Sequence, residues 1–290
     1  SEEIVSIADF SPFPSALDGF NPTEYYDQFS LVGYRPVADD QGKKNQAVVR
    51  QSTMINRLLT VHAGTHGAYV NVINGLSDLG LVARKPSDDE LALAEEKGVE
   101  LSVTSIALDA FVFIKNYTNP VTSLTTEQIR AIYGGKLKNW SEVGGNDEPI
   151  TAYRRNRNSG SQELMEKLVM KGLSFEELPY PGSRRTIHHN MGGPYIALTH
   201  DRRGLGYSVY YYEHFMAGSP DTELIAVDGV LPSFNTIQSG EYAYATKVYA
   251  VMRQGASEEP RAVRLRDWLL SSEGQAVVRE SGYVPLRENR

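Results

Sequence analysis

The chain has 290 residues, 41% of them hydrophobic and 22% charged, so it can bury a real core and is longer than one compact unit usually needs. Lys and Arg number 29 against 36 Asp and Glu, a formal charge of −7, which leaves no electrostatic footprint for nucleic acid or anionic lipid. With no cysteine there are no disulfides, thiolate metal sites or cysteine nucleophile, and no apolar run approaches the roughly 18–20 residues of a membrane helix. The chain opens Ser1-Glu2-Glu3 and reads as a mature or trimmed form, with any signal or lipid-attachment residue expected upstream.

Residues 1–45 are aromatic, Pro-bearing and poorly periodic, and are expected to be irregular coil with short helices. From Gln46 the pattern turns α/β. Strands are predicted at 47–50, 59–63 and 79–83, and helices at 54–59, 68–74 and 87–97. Ser87 with Glu90 three residues on is a capping-box signature for the last of these. The stretch 103–114 is apolar and long enough to run from one lobe into another. A helix follows from 123 to 132, a strand at 150–153 and a helix at 161–170. Strands begin at 204 and cover 248–252, and helices at 261–270 and 273–280 close the chain. Alternating strands and helices indicate stacked α/β layers.

The most informative segment is Arg155-Asn156-Arg157-Asn158-Ser159-Gly160-Ser161, where a strand ends and a helix starts. The first N–H groups of a helix have no partner within it and point outward with the positive end of its dipole. Gly160 leaves room for close approach, the Ser159 and Ser161 hydroxyls add donors, and Arg155 can fork onto two oxygens of a tetrahedral anion. The plainer alternative is a serine-capped helix beside surface arginines. Thr65 sits in a second strand–turn–helix junction, where it could cap the helix or offer its hydroxyl to a ligand. Asp78 stands where an apolar strand begins. It is either a turn residue or the acceptor for a proton carried by the ligand.

Other chemistries find little support. His188 and His189 are adjacent and in a strand would face opposite ways, and no His-x-x-x-His or Glu-x-x-His pattern occurs, so no metal site is expected. There is no Gly-x-Ser-x-Gly elbow, and Gly134-Gly135-Lys136-Leu137 lacks the leading Gly and the Ser/Thr of a nucleotide phosphate loop. Tyr210-Tyr211-Tyr212 reads as packing and surface. No catalytic residue and no cofactor is expected.

Taken together, several segments resemble the phosphate-binding proteins of ABC importers. Ser123-Leu124-Thr125 through Ile132-Tyr133-Gly134-Gly135-Lys136, with Asn139-Trp140 and Gly144-Gly145, is similar to that family's domain-two signature. Arg155 with Ser159-Gly160-Ser161 matches its Arg-x-x-x-Ser-Gly-Thr/Ser anion motif. Gly204-Leu205-Gly206-Tyr207-Ser208 resembles its Gly-Ile-Gly-Tyr strand, and Asp228-Gly229-Val230, Pro232, Ile237 and Tyr242 its return segment. Trp268-Leu269-Leu270-Ser271, Gly274-Gln275 and Gly282-Tyr283-Val284-Pro285 resemble its C-terminal helix and tail. The resemblance covers about residues 46–286.

The resemblance implies a type II periplasmic-binding-protein-like fold, two α/β lobes joined by two crossover strands. Lobe one would comprise 1–110 and 246–290, and lobe two 111–245, with Leu79–Val82 and Ile150–Tyr153 in separate sheets. It implies a secreted, non-enzymatic solute-binding protein, monomeric, periplasmic or at the cell surface and lipid-anchored upstream of Ser1. It would capture inorganic phosphate in an interlobe cleft and deliver it to a membrane ABC permease. The implied ligand residues are Arg155, Ser159, Gly160 and Ser161 in lobe two, and Thr65, Asp78, Ser52 and Thr53 in lobe one. Arg50-Gln51 stands where the family has Asp-Gly, and only about a dozen residues separate Thr53 from Thr65, so the first anion loop departs from the pattern. Two alternatives therefore stay open: a binder of sulfate or molybdate, and a signalling or adhesion module that kept the fold and lost its ligand.

Overall fold

The computed structural model describes the backbone of Ile7–Asp9 and Val61–His62, and residues 64–157, 159–176, 187–188, 191–217, 219–255 and 260–286. The expected elements at 47–50 and 54–59, together with Ser52 and Thr53, lie outside these residues. Of the described residues, those up to Ala107 and Val248–Pro285 form one compact unit, and Leu108–Lys247 form a second.

In chain order, β1 (Ile7–Asp9) and β2 (Val61–His62) lead into α1 (Gly64–Ile73), β3 (Leu79–Val82), α2 (Asp88–Glu96) and the 16-residue β4 (Leu101–Asn116). Next come β5 (Ser123–Leu124), α3 (Thr126–Tyr133), a 3₁₀ turn at Trp140–Val143, β6 (Thr151–Ala152), β7 (Arg154–Arg155), and α4 (Gly160–Leu164) continued by a π-helical turn at Met165–Met170. Then follow β8 (Ile187–His188), α5 (Gly193–His200), β9 (Gly204–Val209), a π-helical turn at Tyr212–Ala217, and β10 (Thr222–Val227). The chain closes with α6 (Phe234–Ser239), β11 (Ala245–Arg253), α7 (Pro260–Leu270) and α8 (Ser272–Glu280).

In the first unit β1 lies between β2 and β3, parallel to both, and β3 pairs antiparallel with β11. Within the segment expected to be irregular, the described residues Ile7–Asp9 depart from that reading. Ile7-Ala8-Asp9 is a strand, but three residues are too few to display a two-residue alternation. Ala68, Tyr69, Val72 and Ile73 of α1 pack with Val82, Ala94, Tyr249 and Val251 as the core. The helix can sit this close because β3 carries Gly80. A Cβ there would stand 3.2 Å from Val72 Cγ2.

The Glu90 half of the expected cap of α2 is present, while Ser87 Oγ is buried without a hydrogen-bond partner. Ser87 N donates to Glu90 Oε2 at 2.8 Å, and Asp88, Asp89 and Glu90 place three carboxylates in the first turn, where the helix dipole favours them. Glu90 is completely buried, and Arg84 donates to both its oxygens at 2.8 Å. Burial, the largest single influence, would raise its pKa; the Arg84 hydrogen bonds and charge, with the Ser87 N–H and His66, together outweigh it and hold the group below the usual carboxylate range.

In the second unit β4 pairs antiparallel with both β9 and β10, β5 adds parallel to β10, and β6 adds parallel to β9. An aromatic core fills it: Phe111 stands 5.3 Å from both Phe113 and Tyr207, and Tyr133 5.7 Å from Tyr207. The Asn139-Trp140…Gly144-Gly145 motif has a physical basis. Asn139 caps the 3₁₀ turn, Trp140 is buried with its Nε1 on Arg203 O at 2.9 Å, and a Cβ on Gly145 would stand 2.9 Å from Trp140 Cβ.

Leu79–Val82 and Ile150–Tyr153 are not in separate sheets. Pairing runs from β3 through β11, β4 and β9 to β6, one network of nine strands. The crossover strands themselves are hydrogen-bonded members of both units, so the ladder does not stop between them. The single strand expected at 150–153 is also two: β6 ends at Ala152, and β7 pairs with β8 in a small sheet of its own.

Candidate anion-binding site

Parallel strands β6 and β9 start together, Thr151 beside Gly204, and the chain leaves the carboxyl end of the two-residue β6 through Tyr153 into β7. In open α/β sheets this carboxyl edge is where ligands bind. Arg155 is 7% exposed. Its backbone N–H is shared between the Tyr207 hydroxyl at 2.9 Å and Gln162 Oε1 at 3.3 Å. The Tyr207 hydroxyl also donates to Gln162 Oε1. Tyr207 and Gln162 thus fix where the arginine leaves the strand. Its Nε donates to His188 O at 3.2 Å, and Nη1 to Ser161 Oγ at 3.3 Å and Met191 Sδ at 3.0 Å. Nη2 has no acceptor among the described residues.

Burial pulls the Arg155 pKa down, and no described carboxylate lies within ion-pair distance to offset it. A buried guanidinium without a counter-charge is costly, and an anion at Nη2 removes that cost. Ser159 caps α4, its Oγ accepting from Gln162 N at 3.2 Å, while Ser161 is 2% exposed with its Oγ accepting from Arg155. Both hydroxyls act here as acceptors toward the protein, so each keeps its own hydrogen to donate. Gly160 opens the helix without a side chain over its free N–H groups. The structure thus brings Arg155, Ser159, Gly160 and Ser161 together.

It does not bring Thr65 and Asp78 together. Because β1 is parallel to both β2 and β3, those two strands run the same way and the linking α1 runs back between them. Thr65 lies in the first turn of α1, at the carboxyl edge of the sheet. Asp78 precedes β3, at the opposite edge, about 15 Å away along the ten-residue helix. There Arg253 holds it: Nη2 meets Asp78 Oδ1 at 3.1 Å, while Nη1 donates to Val72 O at 2.7 Å and Ser77 O at 2.8 Å. The expectation that Asp78 receives a ligand's proton finds no support in this placement, where Oδ1 is engaged by Arg253. Arg253, paired with Asp78, closes the C-terminal end of α1 by donating to Val72 O.

Tyr207, Gln162 and Met191 were missed as supports of the site. Tyr207 carried a signal, as part of Gly-Leu-Gly-Tyr, while Gln162 and Met191 carried none. Among the described residues no group of three or more His, Asp or Glu side chains could hold a metal ion, and no helix is long and apolar enough to cross a membrane.

Two α/β units sharing long crossover strands, with an arginine and a serine-glycine helix start at a carboxyl edge, define a two-unit binding protein. The PBP superfamily domain matches residues 35–273, and the chain belongs to that family. It is 26% identical over 229 residues to the phosphate-binding protein PstS of Staphylococcus epidermidis, covering 77% of this chain and 68% of that one. To PstS of Bacillus subtilis it is 24% identical over 235 residues, 79% of this chain and 72% of the relative. Among solved structures it is similar to a Clostridium perfringens protein described as a phosphate ABC transporter substrate-binding protein with bound phosphate. That match has a TM-score of 0.65 at 26% identity and covers 79% of this chain and 87% of the other.

Proposed function

We propose that this chain is a non-enzymatic, extracytoplasmic solute-binding protein that captures inorganic phosphate and delivers it to a membrane ABC permease, acting as a monomer. The observation that carries the reading is Arg155, buried, without a described carboxylate partner, and bonded to Ser161 beside the Ser159–Gly160 helix start. A tetrahedral oxyanion supplies the missing charge and enough oxygens for Nη2, the two hydroxyls and the free helix N–H groups together. That the relatives are named phosphate-binding proteins, and that the Clostridium perfringens structure holds phosphate, supports phosphate among oxyanions. Thr65 is proposed as a further donor from the first unit, through its hydroxyl and the first turn of α1.

Calorimetric titration with phosphate, sulfate and molybdate tests this. Phosphate is expected to bind most tightly, and Arg155→Ala to weaken it by about a hundredfold, the scale of two charge-assisted hydrogen bonds. A folded wild-type chain that gives no heat with phosphate overturns the reading.

A further inference from the structure

Arg155, Ser159 and Ser161 are all donors, and donors alone do not tell hydrogen phosphate from sulfate. Hydrogen phosphate carries a proton and needs an acceptor. With Asp78 held by Arg253 at the far edge of its own sheet, the acceptor lies elsewhere.

Asn156 follows Arg155 directly. Its backbone is fully engaged, with N–H on His188 O at 3.1 Å and C=O accepting from Ser159 N at 3.2 Å. That second bond closes a four-residue turn and folds Asn156 back against the helix start that caps on Ser159. Its side chain is polarised by one contact, Nδ2 donating to Arg157 O at 3.2 Å. This contact fixes the amide orientation, because the flipped amide would set oxygen against oxygen. Oδ1 is therefore the atom turned the other way, and it is buried with no hydrogen-bond donor. Buried polar atoms are almost always paired, and one left bare costs about 1–3 kcal/mol, so a bare acceptor on the residue that follows Arg155 and is backbone-bonded to Ser159 calls for a partner.

We infer that Asn156 Oδ1 accepts a hydrogen bond from the hydroxyl of hydrogen phosphate and that Asn156 is the residue that sets the preference over sulfate. This rests on the phosphate reading above. Sulfate at neutral pH presents only lone pairs, so against it Oδ1 is one acceptor facing another. An aspartate here performs the same task with a full charge.

Competitive titration at neutral pH with Asn156→Ala and Asn156→Asp tests it, with thermal melts to confirm folding. Both variants keep the backbone bonds of the turn. Asn156→Ala is expected to weaken phosphate about tenfold while leaving sulfate within about twofold, so that the preference narrows. Asn156→Asp is expected to keep or widen the preference. If wild type binds phosphate and Asn156→Ala leaves the phosphate-to-sulfate ratio unchanged, the inference is overturned while the phosphate reading stands. If wild type does not bind phosphate, the reading itself fails.

Discussion

Arg84 and Glu90 meet as two parallel hydrogen bonds of 2.8 Å, with 3% of one side chain and none of the other exposed. His66 Nδ1 reaches the same carboxylate at 2.9 Å, and Ser87 N adds a third donor side. A carboxylate so surrounded is stable only with its partners. Removing one charge strands the other in the core. Glu90→Gln is expected to cost about 3–5 kcal/mol, read as a fall in denaturation midpoint with unchanged m-value. A loss under about 1 kcal/mol contradicts this account of the cluster.

Asp109 carries the opposite imbalance. It is buried, its Oδ1 accepts from Ala110 N at 2.8 Å and Tyr211 N at 3.0 Å, and its Oδ2 has no partner. Burial raises its pKa from 3.8 to about 7, against the two backbone bonds. The folded state therefore holds a proton that the unfolded chain releases near pH 4, and stability falls as pH rises from about 4 to about 7. Asp109→Asn keeps an oxygen for both N–H groups and has nothing to ionise. It is expected to melt higher than wild type at pH 8 and to lose that advantage by pH 4. Equal advantage at both values contradicts the ionisation argument.

Asp78 and Arg253 are both partly exposed, so their pair is worth about 1 kcal/mol or less after solvent screening. Asp78→Asn is expected to lower stability by that amount and to leave the phosphate-to-sulfate preference untouched. A changed preference, measured by competitive titration, would return Asp78 to the binding site.

Gly80 is the point where α1 rests on β3. Gly80→Ala places a methyl group 3.2 Å from Val72 Cγ2 and 3.7 Å from Ala68 O, both on the rigid face of the helix. A cost of about 1–3 kcal/mol is expected from the forced shift, measured by chemical denaturation. Phosphate affinity should be unchanged, since Gly80 lies within the core of the first unit.

The sequence carried the regular elements well where capping chemistry was local. Ser87 with Glu90 marks its helix start to the residue, while the helix expected from 123 begins at Thr126 behind its Thr125 cap. The Arg155–Ser161 cluster was legible for the same reason: one short loop supplies every member. What could not be read was long-range. A three-residue strand at Ile7–Asp9 shows no period. The partner of Asp78 is Arg253, 175 positions away, and nothing near either residue announces the pairing. The same holds for Tyr207 beneath Arg155, 52 positions apart, and for the break at Tyr153, which depends on β8 being available to β7. For Asp78 the sequence left two readings open, because a carboxylate before a strand looks alike at either edge of a sheet. Only the parallel register of β1 with β2 and β3 decides which edge it occupies.

The first unit is sewn from both ends of the chain, and that sets an order of assembly on the ribosome. β3 is made early, but its neighbour on one side is β11, with Leu81 paired to Ala250 and Val82 to Tyr249. Until those residues emerge, β3 keeps a bare row of backbone donors and acceptors, flanked by apolar Leu79 and Val82. The entire second unit is synthesised in that interval and has everything its own core requires. An open strand edge held through the synthesis of some 170 residues is a site for wrong pairing between nascent chains. The late arrival of β11 makes the last sixth or so of the chain the piece whose loss leaves a folded second unit attached to a sheet that cannot close.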